Sequence, residues 1–126
     1  MKRSKLIDIP LYNCLFKIID TDDIEYLQKN KFIGDTFKKD TELYARIINS
    51  SIDTKLYGTR ECLYAIFNTK HKTTSITHGV IGHEALHCVN MLFESRGIVA
   101  DRNNDEADAY MLAWFIDRIH EFLKIK

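Results

Sequence analysis

The apolar residues of this chain change their spacing halfway along it, and that change narrows the architectures open to it. Before about residue 72 they come in short runs rich in β-branched and aromatic residues, Leu11 to Ile19, Leu43 to Ile48 and Cys62 to Phe67, the pattern of strands. Polar segments, Thr36 to Thr41 and Ser50 to Thr54, separate these runs. Asp22 to Asn30 has the composition of a short helix with Asp22 or Asp23 near its N-terminus. After about Thr74 the period becomes helical. Strands followed by helices predict an α+β fold: a small, mainly antiparallel sheet packed on one helix, with a second helix at the C-terminus.

The length, 126 residues, suits one domain with a core sufficient for folding without staples. Eighteen basic residues balance eighteen acidic ones, so no net field draws the chain to nucleic acid or to an acidic membrane surface. The three cysteines, Cys14, Cys62 and Cys88, are odd in number and lack CxxC spacing, which predicts reduced thiols in a cytoplasmic protein. Asp8, Pro10, Asn13 and Lys17 interrupt the apolar stretch that a signal peptide needs, and no run approaches a membrane span.

The first predicted helix carries the chemistry. With Val80 at 0°, Ile81, Ala85, Leu86, Cys88, Val89, Leu92 and Phe93 fall in an arc from about 80° to 240°, and His83, Glu84 and His87 fall on the other side. Gly97 is placed to end the helix in a left-handed cap. His83 to His87 read HEALH, a His-Glu-x-x-His sequence. On a helix this spacing stacks two imidazoles on one face, suited to zinc, with a carboxylate beside them that can take a proton without ligating the metal.

Catalytic zinc takes three protein ligands. A second helix is predicted from about Asn104 to Leu123, where Ala109, Leu112, Phe115, Ile116, Ile119 and Leu123 recur with helical period and Asn103 or Asn104 suits the N-cap. The first helix runs about 14 Å beyond His87, and the seven residues after Gly97 span more than about 20 Å when extended, so the start of the second helix can return to the histidines. Asp105 and Glu106 both stand there. Asp105 is nearer the centre of the second helix's apolar arc and Glu106 is at its flank, where a ligand at a cleft rim belongs.

HEALH followed by Asp105, Glu106, Ala107, Asp108 and Ala109 resembles the gluzincin metallopeptidases. The resemblance covers about residues 76 to 120. It implies a minimal zincin-like metallopeptidase with His83, His87 and Glu106 as zinc ligands and Glu84 as general base, acting on a peptide or protein substrate. The segment Glu106 to Tyr110 is also similar to small zincin-like proteins of tailed bacteriophages. Tyr110 stands where thermolysin-like enzymes carry an acidic residue; its hydroxyl is a candidate donor to a developing oxyanion or to a ligand carboxylate.

Other histidines have plainer readings. His78 falls in the apolar arc, as a packed or capping residue; His120 reads as a solvated surface residue. His71, in a polar loop, is a further group that can approach substrate. Cys62 faintly resembles the metal-binding Cys of peptide deformylases and reads better as a buried strand residue. A zinc-stabilised binding or assembly module without hydrolysis, and an amidase on non-peptide substrates, are the alternatives to a peptidase.

Overall fold

A computed structural model describes residues 2–32, 44–71 and 73–125. The chain is α+β, a four-stranded mixed sheet with three helices, and divides into two compact units, Met1–Ile76 and Thr77–Lys126. The polar segment Thr36 to Thr41 and the residue Leu43 lie outside the described residues.

The first unit holds β1 (Lys2–Ile9), β2 (Cys14–Thr21), α1 (Ile24–Lys29), β3 (Ala45–Thr54) and β4 (Gly58–Phe67), with the strands in the order β1-β2-β4-β3. The outer pairs β1·β2 and β3·β4 are antiparallel, and the central pair β2·β4 is parallel. That position explains the sequence pattern. Strands buried on both faces read as near-continuous apolar runs, as Cys14 to Ile19, broken only by Lys17, and Cys62 to Phe67 do. Edge strands alternate and carry charge, so β1, whose basic residues resemble a tail, gives no strand signal in the sequence.

The strand expected from Leu11 begins instead at Cys14. Leu11 and Asn13 take positive φ, 72° and 50°, in the turn between β1 and β2, and Leu11 is exposed. Ser50 to Thr54, read as a separator, is the second half of β3. α1 forms as expected: the Asp23 carboxylate accepts from the Tyr26 backbone N–H at 3.0 Å, and Ile24 and Leu27 pack with Leu15, Ile19, Cys62, Tyr64 and Ile66.

Asp20 is fully buried at the end of β2. Its carboxylate accepts from Arg3 Nε at 3.0 Å, from the Thr69 backbone N–H at 3.0 Å and from Thr69 Oγ1 at 2.8 Å, which ties β1 and β2 to the segment following β4.

The second unit is an antiparallel hairpin of α2 (His78–Ser95) and α3 (Glu106–Leu123). Thr77 caps α2, its hydroxyl accepting from the Val80 N–H. At the other end Gly97, with φ of 68°, donates to Glu94 O while Ile98 N–H donates to Phe93 O, the paired bonds of a Schellman cap. Met111, Phe115, Ile119 and Leu123 form the buried stripe of α3. Among the described residues no helix is long and apolar enough to cross a membrane.

Candidate metal centre

His83 and His87 stand one turn apart on α2, both exposed, with their Nε2 atoms 3.2 Å from each other and their rings at 79°. Two nitrogens bound to one tetrahedral zinc at about 2.0–2.1 Å stand about 3.3 Å apart, so this pair has the separation of two ligands sharing one ion.

Glu84 differs from the sequence expectation. It was expected opposite the core with the histidines, but only 7% of its surface is exposed. Measured from Val80 at about 100° per residue, the buried residues of α2 run from Glu84 at about 40° to Phe93 at about 220°. The buried arc is thus turned by roughly 30° from the expected one. It takes in Glu84 and releases Leu86, which was assigned to the core and is 51% exposed. Burial pushes the Glu84 carboxyl above the ordinary carboxylate range, with His83 and His87 pulling the other way. A raised carboxyl pKa moves towards that of a base working near neutral pH.

The same rotation affects α3. From Met111 at 0°, the buried stripe ends with Leu123 at about 120°, which leaves Glu106 at about 220° and Tyr110 at about 260°, behind the helix. Both are exposed, Tyr110 at 59%, and so is Ala109, which was expected in the core. Register sets Glu106 further off. His78 meets His120 across the hairpin, so residues opposite one another have numbers summing to about 198 and His87 stands level with Met111. Glu106 lies five residues, or roughly 7 Å, beyond that level. Among the described residues no three His, Cys, Asp or Glu side chains are grouped to hold a metal. The structure thus brings His83, Glu84 and His87 together and does not gather Glu106 or Asp105 with them. Asp105 is the N-cap of α3, exposed and with no side-chain capping bond.

The remaining candidates have structural explanations. His71 turns Nδ1 to its own backbone, accepting from Thr73 N–H at 3.3 Å and Thr74 N–H at 3.0 Å, so its proton sits on Nε2 and the ring holds the loop before α2. Cys62 is an interior residue of β4 with its thiol pushed up to about 12 by burial, matching the strand reading.

His78 departs from its packed reading, and His120 has a contact that its surface reading did not include. His78 is exposed, not packed, because the first residue of α2 projects past the core; its Nδ1 is 3.3 Å from Nε2 of His120, which is half-buried. The available signal was topological, since a short loop pairs the start of the first helix with the end of the second. Comparison of the chain with known protein families, with curated proteins and with solved structures finds no match.

Proposed function

We propose that this chain is a zinc-dependent hydrolase that cleaves peptide bonds at the HEALH segment of α2. The observation that carries the reading is the 3.2 Å separation of the His83 and His87 Nε2 atoms, with the buried Glu84 carboxylate one residue after the first ligand. His83 and His87 would hold the ion; Glu106, the third ligand expected from the sequence, is not gathered with them among the described residues, so it would complete the set only by moving to them. Bound zinc supplies Lewis acidity, lowering the pKa of water and polarising a carbonyl. Glu84 is the proton carrier: its carboxylate takes a proton from the attacking water and delivers it to the departing amine nitrogen. Desolvation suits it to the first half of that transfer, because a carboxylate whose pKa is raised takes a proton more readily.

Elemental analysis of wild type beside His83→Ala, His87→Ala and Glu106→Ala, with mass-spectrometric readout of a peptide library, tests the reading. Zinc at the site and turnover should disappear in both histidine variants. Zinc retention by Glu106→Ala would remove that residue from the ligand set. A second reading, a zinc-stabilised binding module, is favoured by the position of Glu106 and Tyr110 on the exposed back of α3. It prevails if wild type and Glu84→Gln bind zinc alike and neither cleaves peptide or small-amide libraries.

A further inference from the structure

The second histidine pair has the same donor spacing as the first and no part in the proposed hydrolysis. His78 is the first residue of α2 and His120 is in the last turn of α3, so 42 positions in sequence separate two nitrogens 3.3 Å apart. We propose that His78 and His120 form a second divalent-cation site, a two-imidazole clamp for a borderline ion such as Zn²⁺ that fastens the open end of the helical hairpin.

Burial does not account for the pairing, since His78 is exposed and His120 only half-buried. The 3.3 Å separation equals the distance of about 3.3 Å between two nitrogens on one tetrahedral ion. The rings are stacked at 30° with centroids 4.7 Å apart, so binding an ion requires the exposed His78 ring to turn about its broad χ2 torsion. Binding requires His78 with its proton on Nε2 and His120 with its proton on Nδ1, a tautomer choice that releases no proton from the neutral pair. Imidazole nitrogens suit zinc, nickel and copper, with water completing the coordination. Helix dipoles oppose one another here, the end of α3 favouring a cation and the start of α2 disfavouring it, so the attraction comes from the nitrogens. Because the chain between the ligands is long, an ion held only by the folded hairpin stabilises that fold.

The site is tested in the His83→Ala/His87→Ala protein, where the HEALH pair contributes nothing, so the outcome is independent of the proposed hydrolase. Calorimetric titration with Zn²⁺ alone should show one equivalent bound, with a rise in thermal midpoint. Adding His78→Asn or His120→Gln should weaken binding by more than about tenfold and abolish the rise. In the double-alanine protein itself, the His78 and His120 ring proton resonances should move with the first equivalent of Zn²⁺ while those of His71 stay, a readout that requires no change at the site. No binding in the double-alanine protein, binding unchanged by both further substitutions, or resonances that do not move would each overturn the clamp.

Discussion

Among the described residues two carboxylates are buried, Asp20 in the sheet unit and Glu84 in the helical unit, and their surroundings differ. Burial of a charge costs several kcal/mol unless partners replace water. Asp20 has those partners built in: the Arg3 guanidinium and the N–H and O–H of Thr69. Glu84 has imidazoles for neighbours, and desolvation outweighs their pull. A cation held by His83 and His87, as the proposed function requires, would supply a counter-charge for Glu84. Under the proposed function, one carboxylate serves stability and the other chemistry.

Glu84→Gln is the sharpest way to break that contrast. The substitution keeps shape and removes the proton carrier, so peptide turnover should fall by about 10²–10⁴-fold while zinc content stays at the wild-type level. Stability in urea should be unchanged or slightly raised, because a neutral amide replaces a desolvated acid. A variant that unfolds more easily than wild type by several kcal/mol would make Glu84 a structural residue like Asp20.

Asp20→Ala should cost about 3 kcal/mol in urea unfolding, since it leaves the half-buried Thr69 N–H without its acceptor and breaks an ion pair with one interior partner. Arg3 is partly exposed, so Arg3→Ala should cost only about 1 kcal/mol. A loss below about 1 kcal/mol for Asp20→Ala would leave its three bonds without energetic weight.

These two residues also mark what was legible in the sequence. HEALH on an amphipathic helix, the caps at Asp23 and Gly97 and the central strands were readable because each depends on local spacing and composition. Glu84 on the wrong side of the core boundary, and Glu106 at the back of α3, show the limit of a helix wheel. Apolar residues define an arc only to within the side chains at its margins, and a turn of roughly 30° reassigns Glu84 and Leu86 at once. The Asp20 bonds span 49 positions to Thr69, and the His78 contact spans 42 to His120; such pairings belong to topology, which periodicity does not contain. The charged edge strand β1 was missed for the same reason, its partner being visible only in the register with β2.

Cys62 shows a third way of burying an acid, which is to keep it neutral. Its thiol is pushed up to about 12, chiefly by burial and secondarily by Cys14. The folded value lies above the unfolded one, so this contribution to stability is complete below pH 9.0 and is lost as pH rises towards about 12. Urea midpoints should fall across that window, and Cys62→Ala should flatten the fall. In the folded protein the three buried thiols should resist alkylation at pH 8.5, an experimental setting just below the ordinary thiol range, and react once urea unfolds the chain. Reaction of Cys62 in the folded state would place it with Glu84, among groups available for chemistry.

The smallest effect separates scaffold from site within α2. Thr77 stands one residue before the helix and caps it through the Val80 N–H, six positions from His83. Thr77→Ala should cost about 1 kcal/mol, the usual loss for an N-cap hydroxyl, through fraying of the first turn. The HEALH turn starts beyond that fraying and is held by Ile81, Ala85 and Cys88, all fully buried. Zinc content and turnover at saturating metal should therefore match wild type, whereas the His78 ring, in the frayed turn itself, should lose part of its hold on Zn²⁺. Equal weakening of both histidine pairs would mean that α2 responds as one rigid body, with no division between the turn that starts the helix and the turn that carries the chemistry.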